Sequence, residues 1–264
     1  MIKSSKAMKL LTLDIETSAH IVETWGLFQQ NIGLNQLTEP TRMISFAAKW
    51  LDNPTVAFFS EYHHGRDRMV EAAFALVDEA DAVIHFNGKG FDMKHLNREF
   101  KEHDVRVRDG EDSGEGVHLG RPSSYHHIDL LTAVKANFRL ASNKLDYVAG
   151  EFLKLGHKVK HPGYDLWKAC RAGDPRAWGL MRKYNKGDVT LTEQVYLELL
   201  EWIDNHPNMQ LFTGQPGTCP TCGSPDRQKR GTRKTLLSVY QTYLCNDCGR
   251  RYQGKDVLLR AEER

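Results

Sequence analysis

The sequence predicts an α/β protein: a mixed five-stranded sheet flanked by helices, with a small cysteine-bearing module behind it. Three observations carry this. Apolar runs of strand length open the chain as a meander, the pattern then switches to strand, helix, strand alternation, and four of the five cysteines fall in the last fifth as two Cys-x-x-Cys pairs.

"MKLLTLDI" reads as a first, buried strand. "MISFAAKWL" and "TVAFFSEY" are two more, joined by the turn-forming "DNP". In "RDRMVEAAFALVDEA" the residues Met69, Val70, Ala73, Phe74 and Val77 recur at helical spacing, and "DAVIHF" follows as a short strand. After the turn "NGKG" comes a helix, "FDMKHLNREFKEH", and later a fifth strand, "YHHIDLL". "TAVKANF", "KLDYVAGEFLKL" and the stretch from Asp174 to Asp204 are expected to be helical. Between Asp104 and Ser124 lies "VRVRDGEDSGEGVHLGRP", rich in glycine and charge, which reads as an exposed, mobile insertion. "NHPNMQLFTGQPGT" is the natural linker. The expected division is a catalytic-type domain over 1–206, a linker over 207–217 and a cysteine module over 218–264.

At 264 residues, 40% of them hydrophobic, the chain can bury a real core. Its formal charge of +2 conceals an asymmetry: from Gly214 onward there are 10 Lys/Arg against 5 Asp/Glu, and before it 26 against 29. That division suits a body that binds cations and a tail that meets a polyanion, although a basic tail is equally a solvated surface. The N-terminus carries no apolar run of signal-peptide length and nothing approaches a membrane span, so a cytoplasmic location without a membrane partner is the expectation. Paired cysteines in such a chain point to metal rather than disulfides. Cys170 stands alone and reads as a packed structural thiol.

"KLLTLDIETS" ends in two acids, Asp14 and Glu16, with one isoleucine between them. Residues two apart on a strand project together, so these carboxylates repel unless a cation sits between them. Two further patterns supply partners. In "HFNGKGFD", Asn87 ends a strand and Asp92 opens the next helix; in "YNKGD", Tyr184 and Asp188 are four apart and share a helix face. Each pattern alone recurs by chance. Together and in this order they resemble the DEDD superfamily of 3′ to 5′ exonucleases, in the subclass whose third motif is Tyr-x-x-x-Asp. The resemblance spans residues 8 to 204 and is closest to the DnaQ-like proofreading domains of family-B DNA polymerases and their stand-alone relatives. It implies an RNase H-like fold.

The chemistry explains why acids are needed. Phosphodiester hydrolysis requires a hydroxide nucleophile near neutral pH and relief of charge on the leaving 3′ oxygen, which two divalent ions about 4 Å apart provide. Hard oxygen ligands suit Mg²⁺ or Mn²⁺. The resemblance implies that Asp14, Glu16, Asp92 and Asp188 hold the pair. Asp14 is expected to bridge both ions, Glu16 and Asp188 to complete the nucleophile side, and Asp92 to support the other ion. Tyr184, whose phenol ordinarily titrates near 10, is expected to position water rather than act as a base. Thr17 is a candidate contact to the terminal nucleotide. Trp25 and Phe28 fit a core or lid role better than base stacking but are carried as substrate contacts, as are Asn87 and Phe91. Asn87 is expected chiefly to shape its turn, and Asp129 to cap the following helix. His126 and His127 are left out of the site.

"CPTCG" and "CNDCG" place Cys219 and Cys222 ahead of Cys245 and Cys248, with 22 residues between the pairs. Four thiolates suit one structural, tetrahedral Zn²⁺, and the glycine after each pair permits the tight turn of a knuckle. The pattern resembles a zinc ribbon, with "TLLSVYQTYLC" and "RRYQGKD" as its strands. Arg227, Lys229, Arg230, Arg233 and Lys234, with Tyr240, Tyr243 and Tyr252, suit either a nucleic-acid grip or a solvated face that docks another protein.

The leading expectation is a metal-dependent exonuclease acting on the 3′ end of DNA, single-stranded for preference, in replication, repair or turnover. An exoribonuclease on the same fold is one alternative. A zinc-ribbon nucleic-acid-binding or scaffold protein with an inactive nuclease fold is the other, against which four intact acids argue. A separate polymerase or other replication or repair protein is an expected partner.

Overall fold

The computed structural model describes residues 7–109 and 118–262. The chain runs in order through β1 (Leu10–Thr17), β2 (Ile21–Val22), β3 (Leu37–Glu39), β4 (Met43–Trp50), β5 (Ala57–Ser60), α1 (Glu61–His64), α2 (Arg66–Glu79), β6 (Ala82–His85), α3 (Asp92–Asp109), β7 (His126–Asp129), α4 (Leu130–Asn137), a π-helix (Tyr147–Phe152), α5 (Tyr164–Arg171) and α6 (Pro175–Glu198). A short helix α7 (Met209–Thr213) leads to β8 (Arg227–Lys234), β9 (Ser238–Cys245) and β10 (Arg251–Arg260).

The five expected strands form one mixed sheet in the order β5-β4-β1-β6-β7. β1 pairs antiparallel with β4 and parallel with β6, so the strand bearing Asp14 and Glu16 is the middle one. Its alternation decides what each face receives. Leu11, Leu13 and Ile15 turn toward α2 and α3, where Met69, Val70, Val77, Leu96 and Phe100 close a buried cluster. Leu10, Thr12, Asp14 and Glu16 therefore share the opposite face, which α6 covers. Along α6, Met181, Tyr184, Asn185, Asp188, Thr192 and Val195 are buried at three- and four-residue intervals, so the helix faces the sheet with one continuous stripe. Asp174 caps its start by accepting from the Arg176 amide, and Pro175 stands where a missing N–H is harmless.

Several boundaries differ from the sequence reading. "TVAFFSEY" ends as a strand at Ser60, whose hydroxyl caps α1 by accepting from the His63 amide. "YHHIDLL" ends at Asp129, which caps α4 as expected. α3 continues to Asp109, so the start of the expected insertion is helical; its centre, 110–117, lies outside the described residues. "KLDYVAGEFLKL" contributes a π-helix rather than an ordinary one. The β2–β3 pair, α1 and α5 were not expected, being short elements that only packing holds: α5 is fixed by buried Leu166 and Cys170, and the Trp178 indole donates to the Cys170 carbonyl. Cys170 is thus the packed thiol expected. No helix among the described residues is long and apolar enough to cross a membrane.

The C-terminal strands form an antiparallel sheet in the order β10-β9-β8, of which β8 was not expected. α7 lies inside the expected linker, its Met209 amide bonded to the Pro220 carbonyl at 2.7 Å. Arg250 reaches back to the Glu201 carbonyl at 2.7 Å and to Asp204 at 2.9 Å.

Candidate active site

Carboxylate oxygens of Asp14, Glu16 and Asp188 lie within 4.8 Å of one another. β1 supplies the first two on its α6 face, and a bulge between Glu16 and Thr17 re-aims the strand end. α6 brings Asp188 down from above. Asp92, at the start of α3, is not one of the three: one of its oxygens accepts from the Ile15 amide at 3.1 Å, which fixes it beside Asp14 across the strand.

Burial and mutual repulsion act on these acids in the same direction. Burial first, then the charges of Asp92, Glu16 and Asp188, hold Asp14 well above the usual carboxylate range. Burial and the neighbouring Asp188 push Glu16 up to about 8. Burial raises Asp92 to about 6, against the pull of the Ile15 amide.

The sequence reading missed two residues that bear directly on this cluster. Lys158 places its ammonium 2.6 Å from Asp188 and 4.8 Å from the centre of the Tyr184 ring, so the chain supplies one cation to its own acids. Its backbone amide is tied to Asp146 at 2.8 Å. The segment carrying it can lie close over α6 because residue 187 is glycine, where a Cβ would meet Val159 at 3.1 Å. The only sequence signal was the basic "HKVKH" ahead of an acid-bearing helix. Asn185, fully buried, donates to Asp14 at 2.7 Å and to the Asp14 carbonyl at 3.2 Å. Its own carbonyl accepts from Ser45 at 3.3 Å. Its place beside Tyr184 in a helical stripe was the signal for it.

Tyr184 is buried on the same face of α6. Burial, Asp188 and Glu16 all raise its phenol above the ordinary value, so it stays protonated and serves as a hydrogen-bonding group. His161 stacks edge-on against it at 4.7 Å.

Asn87 adopts a left-handed φ of 70°, the turn-shaping role expected of it. Asp129 pins that turn by accepting from the amides of Asn87 at 3.0 Å and Lys89 at 3.3 Å. Beneath it, His85 accepts from the Gly88 amide, and burial pushes its pKa down to about 4. Phe91 is exposed, its ring against His95 at 4.5 Å. Thr17 borders a cleft that begins at Glu16 and continues along Ser18, Ala19, His161, Tyr164 and Trp167. Trp25 and Phe28 are 100% and 84% exposed, so neither is a core residue; they belong to a loop where no apolar partner among the described residues buries them.

Residues 31–200 match the family model of the RNase H superfamily. The chain belongs to that superfamily. No curated protein matches the sequence. The matched stretch of this RNase H superfamily chain contains Asp92, Tyr184 and Asp188, while Asp14 and Glu16 precede it on the sheet's middle strand.

The donor set fits hard divalent cations. Three carboxylates converge, and one oxygen of Asp188 is buried with no hydrogen-bond partner among the described residues while the other is taken by Lys158. The second cluster is of different chemistry. The sulfurs of Cys219 and Cys248 are 3.7 Å apart and those of Cys222 and Cys245 3.6 Å apart, all four within 4.8 Å. A tetrahedron with Zn–S bonds of about 2.3 Å has edges of about 3.8 Å, so the four thiols stand where zinc would draw them. Gly223 and Gly249, after each pair, take φ of 77° and 72°, the left-handed turns expected of knuckles.

Proposed function

We propose that this RNase H superfamily protein is a metal-dependent 3′ to 5′ exonuclease of the DEDD tyrosine subclass, removing nucleotides from DNA ends. The observation that carries the proposal is the convergence of Asp14, Glu16 and Asp188 under α6, with Asp92 fixed beside them and Tyr184 one helical turn from Asp188. Superfamily membership supports a nuclease, and the sequence order of the three motifs supports the exonuclease class.

In this reading Asp14, Glu16 and Asp188, with Asp92 at the margin, hold a pair of Mg²⁺ or Mn²⁺ ions. When bound, such a pair supplies a hydroxide nucleophile near neutral pH and stabilises the leaving 3′ oxygen. Asn185 fixes the Asp14 carboxylate through its 2.7 Å bond. Lys158 offsets charge among the acids and orients Asp188. Tyr184, protonated, orients the attacking water by hydrogen bonding. A Tyr184→Phe variant is expected to lose about 10- to 100-fold in turnover. Its Mn²⁺ affinity, followed by calorimetry, should stay within error of the wild type; weakened metal binding would show a structural role instead.

The cysteine module, taken as residues 218–264, fits a structural zinc ribbon that grips nucleic acid through the basic β8, joined by a linker over 207–217 to the nuclease domain over 1–206. Removing residues 214–264 is expected to weaken binding of long DNA and to flatten its dependence on salt, because fewer phosphate contacts release fewer counterions. An unchanged salt slope would reassign the module to protein docking. A polymerase or repair protein is a reasonable partner for an exonuclease of this kind.

The deciding experiment is an end-labelled panel of DNA and RNA oligonucleotides with Mg²⁺ or Mn²⁺, wild type against Asp14→Ala. The expected result is stepwise shortening from the 3′ end of DNA by the wild type alone. Preference for RNA ends would make the enzyme an exoribonuclease, and equal activity in the variant would remove the assignment.

A further inference from the structure

The loop between β2 and β3 holds large apolar side chains in solvent. Trp25, Leu27, Phe28 and Leu34 are each more than four-fifths exposed on it. Fifteen consecutive residues, Thr24 to Thr38, carry no charge, and Gln29, Gln30, Asn31 and Asn35 stand among the apolar ones. A monomer gains nothing by exposing so much apolar surface in one place, and patches of this kind mark contacts.

The base of this arm is well fixed. The Ser18 amide donates to the Arg42 carbonyl at 2.8 Å, the Arg42 amide to the Ser18 hydroxyl at 3.0 Å, and the Glu23 amide to the Gln36 carbonyl at 2.9 Å. The arm therefore springs from the residues immediately after Glu16 and Thr17 as a braced ribbon. The cleft that begins at Glu16 runs into a second one along the arm's base, and the two share Ser18, Ala19, Tyr164 and Trp167 in their walls. A polymer whose terminal phosphodiester lies at the carboxylates has its following units led along aromatic walls toward the arm.

The charges in that passage are already matched. Arg42 is paired with Glu61 at 3.0 Å, Lys168 with Asp165 at 2.5 Å, and Arg171 with Glu39. Little cationic charge is left there for phosphates, so the grip must come from stacking and from amide contacts to base edges.

We infer that the arm of residues 24–38 is a stacking platform for unpaired bases behind the scissile nucleotide. The inference rests on the exonuclease reading and assigns this chain's own arm to the strand that trails from that site. A duplex hides its base faces and gives the arm nothing to hold. The amides interleaved with the aromatics match the hydrogen-bonding edges that accompany each base face, and an uncharged tip suits bases rather than phosphates.

The test uses the full-length protein, fluorescein-labelled oligo(dT) from dinucleotide to dodecamer, and Ca²⁺ in place of Mg²⁺, read by anisotropy. Wild-type affinity is expected to climb with length. Trp25→Ala/Phe28→Ala is expected to flatten that climb and to bind the dodecamer about tenfold more weakly, by the same factor at low and high salt. Both side chains are exposed, so an unchanged melting temperature confirms folding, and Trp25→Phe should restore most of the affinity. Retained length dependence in the double variant overturns the inference and hands the tip to a protein partner. A loss that vanishes at high salt, or that is equal for a blunt duplex, also overturns it. Failure of the wild type to shorten any oligonucleotide with Mg²⁺ or Mn²⁺ is a separate outcome, which removes the exonuclease reading instead.

Discussion

Asp14→Ala is expected to lose activity by about 10³-fold or more while the metal-free protein becomes more stable, a combination that distinguishes a metal ligand from a packing residue. In the proposed function the loss follows because several kcal/mol of transition-state stabilisation would depend on the ions this carboxylate helps hold. The gain follows from electrostatics. Asp14 is pushed upward by burial and by three neighbouring acids, so the folded state carries a group that resists ionisation. The variant leaves no orphan behind, since the Asn185 amide keeps the Asp14 backbone carbonyl as an acceptor.

The pH dependence has a definite sign. Between the ordinary carboxylate pKa and the raised values, about 6 for Asp92 and about 8 for Glu16, the folded protein keeps protons that the unfolded chain has shed. Stability of the metal-free form is therefore fully present at low pH and declines as pH rises through that window. Thermal melts of the metal-free wild type are expected to fall from about pH 5 to about pH 8, with Mn²⁺ reversing the fall, and the slope should be shallower in Asp14→Ala. A variant that melts earlier than the wild type at about pH 8 without metal would contradict this account of the cluster.

Cys245→Ser is expected to unfold the C-terminal module and leave the five-stranded domain folded. Seven of the eight residues of β8 and eight of the ten of β10 are exposed, and burial in this region is confined to the cysteines and a few polar neighbours. A sheet with so little buried apolar surface leans on its metal site, since a four-thiolate zinc site contributes about 10–16 kcal/mol in small domains. The five-stranded domain has its own clusters around Leu11, Phe46 and Phe100 and around Ile128, Leu130 and Val195. Hydrogen exchange should show loss of protection over β8, β9 and β10 alone, and slow amides persisting there in the variant would contradict the zinc assignment. The cysteine variant is preferable to a chelator, which would also compete for ions held by the carboxylates in the proposed function.

The mixed sheet was legible because β1, β4 and β6 are largely buried apolar runs and β5 and β7 follow turn signals, and "KLLTLDIET" even announced which face would carry charge. The helix bearing Tyr184 and Asp188 was legible for the same reason, its apolar period being long and regular. Short elements were not: β2, β3 and α1 have too few residues for a period to register, and α5 is held by a contact to Trp178 on another helix. Exposure was the other failure. Trp25 and Phe28 have the composition of core residues, and only their place on a projecting ribbon denies them partners to pack against.

The sequence alone determined the donor chemistry of both clusters, since carboxylates at one set of spacings are hard ligands and thiolates at the other are soft ones. Tertiary structure decided how the carboxylates are managed. Lys158, Asn185 and Asp188 reach Asp14 and Glu16 from segments more than 140 residues away, and their charges and hydrogen bonds act only when folding brings α6 down on β1. Local pattern records which groups a chain owns; the potential each one feels depends on burial and on neighbours the sequence keeps far apart.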